Sequence, residues 1–189
     1  MKLKSKNILR MFSTVFILTT LLSHNGFAQQ PPVRNDGQHD FDFHFGKWRS
    51  HIQTLTKPLT GSKTWIKMEG VVTVTKIWDG KASLEELKAE GPGGLIEGAT
   101  LYFYNPQSYQ WSQSFALSAT GILGVPAIGG FKNGRGEFYS KETHDGRKVL
   151  VRSLWLDIKP DSHRFEQAYS KDGGKSWETN LVANVERYK

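Results

Sequence analysis

The sequence predicts an all-β fold, a single antiparallel up-and-down β-barrel of about nine to ten strands. Apolar and polar residues alternate through nearly every segment after Asp40, and turn-forming residues interrupt the alternation at short intervals. The chain also carries six Trp, six Tyr and eleven Phe, which supply large side chains for a core. Consecutive short strands either stack as a sandwich or close on themselves, and closure leaves no unpaired edge. We therefore expect a barrel.

Residues 1–28 have the pattern of a signal peptide. A basic stretch, Lys2 to Arg10, precedes an apolar run, Met11 to Leu22, and small residues around Ala28 suit cleavage there. The apolar run is shorter than the ~20 residues of a spanning helix, so we expect no stable membrane anchor after cleavage. Removing this segment lowers the formal net charge from +7 to +3, and the remaining Lys and Arg form no basic run. An exported protein, periplasmic or secreted, is predicted, with no nucleic-acid partner.

The rest of the chain is predicted to be a flexible lead-in, residues 29–39, and one domain, residues 40–189. The lead-in is polar and contains two prolines, and no second linker follows it. The chain has no cysteine, which excludes disulfides, thiolate metal sites and a cysteine nucleophile. A domain of ~150 residues buries roughly 70% of its unfolded surface, which is enough for a core without disulfides.

The strands follow one another between turn signals such as Asp79-Gly80, Asn105-Pro106 and Asp145-Gly146. Residues 83–90 also fit helical spacing, which leaves a short helix there as an alternative. Gly121 to Gly136 is too rich in glycine for a plain strand, so the part before the Asn133-Gly134 turn is either a flap over the barrel mouth or a long surface loop. The predicted strands are 48–57, 64–79, 82–89, 96–105, 111–117, 136–142, 148–158, 163–170 and 177–188.

Three residues mark the two ends of the domain. Gly46 and Trp48 form a Gly-x-Trp triplet at the first strand, and Arg187 lies in the last. In this respect the chain resembles the calycin superfamily, the lipocalin-like barrels. The resemblance implies that the Arg187 guanidinium packs across the Trp48 indole and closes one end of the barrel, a contact worth ~0.5–2 kcal/mol.

The chain is most similar to an uncharacterised exported bacterial lipocalin-like family, through the motifs at Asp42 to Trp48 and Phe165 to Asn180. This resemblance implies a cavity open at one end but no settled activity. Related barrels hold haem through one histidine, which makes His163 a conceivable ligand, although a solvated histidine is the favoured interpretation. Ser170 to Trp177 also matches the Asp-box of propeller glycosidases, but a single copy in a short chain indicates a structural hairpin in which Asp172 binds the turn amides.

Loop lengths at 145–146, 159–162 and 171–175 predict the register of the last four strands, and paired residues share a face. The predicted pairs are Tyr139 with Arg152, Arg152 with Tyr169, Leu154 with Gln167, Gln167 with Thr179, and Phe165 with Leu181. Because this face also carries Leu154, Phe165 and Leu181, we expect it to point inward. It would bring six polar candidates into the cavity: Glu137, Tyr139, Arg152, Gln167, Tyr169 and Thr179.

This polar group within an apolar barrel is typical of a ligand pocket. The leading hypothesis is a barrel that binds a small, partly apolar molecule, with Arg152 suited to an anionic group. The alternative is a lyase, isomerase or hydrolase in which Glu137 acts as acid or base beside Arg152 and a tyrosine. An ion pair that only orders the barrel explains the same residues, and a haem-binding barrel is a further alternative. No other cofactor, no metal site and no oligomeric state is predicted.

Overall fold

The computed structural model describes residues 36–189, and all of them fall within one compact unit. The predicted signal peptide and most of the lead-in lie outside these residues. Two short 3-10 helices, Asp42–His44 and Trp78–Gly80, accompany the strands. The strands are β1 (Gly46–Leu55), β2 (Trp65–Ile77), β3 (Ala82–Gly91), β4 (Gly94–Asn105), β5 (Gln110–Leu117), β6 (Ala127–Lys132), β7 (Arg135–His144), β8 (Arg147–Lys159), β9 (Ser162–Ser170) and β10 (Glu178–Arg187).

The ten strands form a closed antiparallel barrel in which each strand pairs with its neighbours in sequence. The barrel closes through β1 and β10, which pair from Trp48 opposite Arg187 to Thr54 opposite Leu181. The predicted up-and-down barrel is therefore confirmed. Since the first and last strands satisfy each other's backbone groups, this sheet has no free edge.

Residues 83–90 belong to β3, so the helical alternative is wrong. Alternate residues of this strand, Glu85, Leu87 and Ala89, face the barrel interior. Leu84 and Lys88 pair with β2 and β4 on the outer face. Period two describes the segment because each residue finds its hydrogen-bond partners on the neighbouring strands.

The glycine-rich stretch divides into two parts. Residues 127–132 form β6, which pairs with β5 and β7, and the Asn133-Gly134 turn connects it to β7 as predicted. Only residues 118–126 remain as a connection, in which Ile122 and Val125 are exposed. Both interpretations, the flap and the long surface loop, placed residues 127–132 outside the sheet. For these residues both are wrong, because they form a strand of the barrel wall.

A β-bulge changes the face that the last strands present. Tyr139 pairs with Arg152 as predicted, but β8 carries a bulge between Leu156 and Lys159, where Asp157 has a φ of 51°. Arg152 consequently pairs with Ala168 instead of Tyr169. A slip of one residue turns every side chain of a strand to the opposite face. The prediction is therefore wrong for the inner face of β7 and β8.

The chain before β1 closes one end of the barrel. Phe41 is 1% exposed and packs among the rings of Tyr102, Trp111, Phe138 and Trp155. The last residues of the predicted lead-in lie against the same end, because the carbonyls of residues 36 and 37 accept hydrogen bonds from barrel side chains. Within residues 36–189 no helix is long and apolar enough to cross a membrane.

Candidate functional site

The barrel encloses a cavity of about 380 Å³ to which all ten strands contribute side chains. Its wall is mainly apolar, with Ile52, Leu87 and Phe165 on three different strands. Leu117 and Val125 belong to the same lining and are 38% and 54% exposed, so the cavity reaches solvent beside the end of β5. A concave, mostly apolar space with a few polar groups is the usual form of a small-molecule site.

The closed end of the cavity is built around Trp48. The Arg187 guanidinium lies over the indole, 3.7 Å from the ring centroid, and donates hydrogen bonds to the carbonyls of Phe45 at 2.5 Å and Phe43 at 3.1 Å. Gly46 has a φ of 105°, and a Cβ there would lie 2.9 Å from the same guanidinium. The motif needs glycine because both the backbone conformation and the space for Arg187 exclude a side chain. This is the arrangement that the resemblance implied for the three residues.

A buried carboxylate, Glu85, organises the polar part of the deep cavity. Its oxygens accept hydrogen bonds from His44 Nε2 at 2.7 Å, the Tyr102 hydroxyl at 2.9 Å and the Thr100 hydroxyl at 3.1 Å. Burial alone would raise the pKa of Glu85, but the hydrogen bond and charge of His44 and the two hydroxyls outweigh it and hold that pKa below its usual value. Burial and the nearby Glu85 charge raise the pKa of Tyr102 well above its usual value. Glu85 is thus an anion fully supplied with donors.

His163 lines the cavity near this group and is 3% exposed, which contradicts the solvated position expected for it. Its ring lies edge-on to those of Trp48, at a centroid distance of 4.7 Å, and His44, at 5.0 Å. Both ring nitrogens are buried without a hydrogen-bond partner among the described residues. Burial, with smaller contributions from the charges of His44 and Arg187, lowers the pKa of His163 to about 2. The residue is therefore neutral at physiological pH.

The longer polar side chains of the remaining wall are Gln113, Gln167 and Glu142. Gln113 accepts a hydrogen bond from the Trp155 indole at 3.1 Å, and Gln167 accepts one from the Asn180 amide at 3.0 Å. Each glutamine uses its oxygen in this contact, which leaves its amide group available as a donor to a ligand. Glu142 accepts one hydrogen bond, from the Ser140 hydroxyl at 2.5 Å. The wall therefore offers both donors and an acceptor.

Of the six polar candidates, Gln167 lines the cavity. Tyr169 shares its face of β9 but packs against Leu59 and Val151 beside the cavity. Thr179 pairs with Ala168 on the outer face, because β10 has its own irregularity between Thr179 and Leu181.

The other three candidates, Glu137, Tyr139 and Arg152, are on the outer face of β7 and β8. The bulge at Asp157 shifts the register, so the residues that alternate with them along these two strands line the cavity instead. They are close together there. The Arg152 guanidinium lies 4.5 Å from the ring centroid of Trp177, and the Tyr139 hydroxyl donates to the Glu137 carboxylate. The predicted cluster exists, but outside the barrel.

The interior residues that sequence reasoning missed include His44, Glu85, Glu142 and Gln113. Glu85 has the same parity as Leu87 and Ala89, so a carboxylate on an otherwise apolar face was the available signal. His44 is 41 residues from Glu85 along the chain, and no sequence pattern connects them. The Asp-box residue Asp172 accepts hydrogen bonds from the Ser176 amide and hydroxyl, which agrees with the predicted structural turn.

No group of three or more metal-ligating side chains is found among the residues that the structure describes. Both nitrogens of His163 are enclosed, so this histidine does not present a ligand to a haem in the cavity. The residues present therefore do not fit the haem-binding alternative.

The chain matches no protein-family model and no curated protein. Among solved structures, the S-type phycobiliprotein lyase CPES from Guillardia theta is similar over 80% of this chain and 92% of its own, with a TM-score of 0.58 and 12% identity. A de novo designed fluorescence-activating β-barrel is similar over 78% of this chain and 95% of its own, with a TM-score of 0.42 and 10% identity. The likeness to the lyase shows the fold alone, a calycin-like barrel, and identifies no sequence family.

Proposed function

We propose that this protein is an exported barrel that binds a small, largely apolar molecule in its central cavity. The observation that carries the proposal is the cavity itself, about 380 Å³ in volume, apolar over most of its wall and continuous with solvent at one end. A core that served stability alone would be close-packed, because an empty apolar space forfeits contacts at roughly 24 cal/mol per Å³. Keeping the space open is therefore a cost that ligand uptake explains.

The enzymatic alternative loses its supporting geometry. It required Glu137, Arg152 and a tyrosine to converge inside the barrel, whereas these residues lie on the outer face. A general base must come within hydrogen-bond reach of the substrate proton, and a residue on the far side of the wall does not. Binding in the cavity needs none of these groups.

The proposal is tested by filling the cavity. Ala183 is buried and lines the cavity, whereas its neighbour Asn184 is exposed on the outer face of the same strand. We expect Ala183→Phe to reduce the affinity for the neutral fluorescent probe N-phenyl-1-naphthylamine by about tenfold or more, because the new ring occupies the binding volume. Asn184→Phe adds the same ring outside and is expected to bind like the wild type. Equal affinity of all three proteins, or no probe binding by the wild type, would refute cavity binding.

Export is a separate part of the proposal and rests on the residues before the barrel. We expect the protein recovered from the exported fraction of its own cells to begin at Gln29, which intact-mass measurement determines directly. An uncleaved chain found inside the cell would contradict it. Native mass spectrometry of the same sample identifies any small molecule that the cavity retains.

A further inference from the structure

The cavity wall carries two carboxylates, Glu85 and Glu142, and no lysine or arginine among the described residues. The cation nearest the floor, Arg187, lies behind the Trp48 indole, where it donates to backbone carbonyls. An anionic ligand would place its charge in a largely apolar space with carboxylates and without a lysine or arginine to pair with it, which is costly.

The two carboxylates differ in how far they are satisfied. Glu85 accepts hydrogen bonds from three side chains and forms an ion pair with His44 when that histidine is protonated. Glu142 accepts one hydroxyl, that of Ser140, and has no cationic group within ion-pair distance in the described part of the chain. A partly buried carboxylate with a single donor retains acceptor capacity for a ligand.

The two carboxylates also lie at different depths. Glu142 pairs with Val149, two residues before the end of β7 at the open end of the barrel. The floor at the other end consists of aromatic rings around His163, a buried histidine whose two nitrogens have no partner among the described residues. Burial and the charges of His44 and Arg187 hold the pKa of His163 at about 2, so this floor is unfavourable for a second cation. A positive group is therefore favoured near the mouth and an apolar group near the floor.

We propose that the ligand is a cationic amphiphile: an apolar molecule with a protonated amine that pairs with Glu142, while its apolar part extends toward the Trp48 floor. The inference rests on the proposed binding function and names the ligand class of the same cavity. It also replaces the anionic ligand that Arg152 suggested, because Arg152 lies on the outer face of the wall. Gln167, which lines the same cavity, supplies an amide donor for a neutral polar atom of the ligand.

The test compares three ten-carbon molecules that differ in their head group, decylamine, decanol and decanoate, as competitors of the neutral probe N-phenyl-1-naphthylamine at pH 7. For the wild type we expect decylamine to bind about tenfold more tightly than decanoate, since a charge-assisted hydrogen bond to Glu142 favours the amine and no lysine or arginine of the described wall pairs with the carboxylate. Glu142→Gln is expected to weaken decylamine about tenfold and to leave decanol within about twofold. Glu97→Gln, which removes an exposed carboxylate paired with Lys88 outside the cavity, is the matched control and is expected to change neither.

The outcomes separate the two proposals. If wild-type protein binds the probe and decanol but takes up decanoate as tightly as decylamine, the charge preference is wrong and the cavity proposal stands. The same conclusion follows if Glu142→Gln and Glu97→Gln weaken decylamine equally, because a general surface charge would then explain the effect. If neither the probe nor any competitor binds, the binding function fails and the ligand class fails with it. The wild-type comparison needs no variant and so does not depend on Glu142→Gln folding correctly.

Discussion

The buried histidine of the cavity floor is expected to make stability depend on pH. His163 is 3% exposed and has a pKa of about 2 in the folded protein, whereas an unfolded histidine has a pKa of about 6.5. Below pH ~6.5 the unfolded chain binds a proton that the folded protein does not, so the free energy of unfolding falls as the pH falls. The slope is about 1.4 kcal/mol per pH unit, and the loss between pH ~7 and ~5 is about 2 kcal/mol.

The measurement is urea unfolding, followed by tryptophan fluorescence, at several pH values in this interval. His163→Phe keeps an aromatic ring among Trp48 and His44 and removes the titrating group. We expect this variant to lose about 2 kcal/mol less than the wild type over the interval, whatever its stability at neutral pH. The other ionisable groups are common to both proteins and cancel in the difference.

A matched control removes a histidine from the surface. His51 is 44% exposed in its side chain and contacts Glu69 at 2.6 Å on the outer face of the barrel. We expect His51→Gln to retain the loss of stability at acidic pH that His163→Phe lacks. If His163→Phe loses as much stability as the wild type between these pH values, His163 is not held neutral in the folded state and the account of the floor is wrong.

Three further predictions concern the barrel wall. Arg187→Leu removes the contact with the Trp48 indole and the hydrogen bonds to backbone carbonyls. We expect the free energy of unfolding, measured in urea titrations, to fall by roughly 3 kcal/mol. A fall below roughly 0.5 kcal/mol would contradict this role of Arg187. Gly129→Ala would bring a Cβ within 1.9 Å of the Glu137 carbonyl oxygen. We expect β6 to separate from β7 and lose hydrogen-exchange protection, and the free energy of unfolding to fall by roughly 2 kcal/mol. Unchanged protection would refute the close approach. Asp172→Ala removes the acceptor for three hydrogen bonds of the β9–β10 turn and should speed amide exchange there without changing probe affinity; a loss of binding would give the turn a functional role.

Much of the fold was determined by short-range pattern. Period two and the turn dipeptides predicted the strands, because alternation places one face of each strand on the core and tight turns join antiparallel neighbours. The Asp145-Gly146 turn gave the β7–β8 register correctly. Through the resemblance to the calycin superfamily, the triplet at Gly46 and Trp48 and the later Arg187 predicted where the barrel closes. The structure adds the reason for glycine, because a Cβ at Gly46 would meet the guanidinium.

The inner face of β7 and β8 was not determined in this way. Strand β8 has apolar residues at both parities, with Val149, Val151 and Trp155 alternating with Leu150 and Leu154, so its pattern does not choose a face. The choice depends on one bulged position at Asp157, which a count of loop residues does not reveal.

The sequence by itself determined that the chain is an antiparallel barrel, closed at the end where Trp48 meets Arg187. The tertiary structure alone decided what the barrel contains. It placed Arg152 on the outer face, put Glu142 in the cavity wall and brought His44 within 2.7 Å of Glu85. The physical reason is that side-chain direction in a strand reverses with a slip of one residue, and contacts across a barrel depend on closure of the whole sheet.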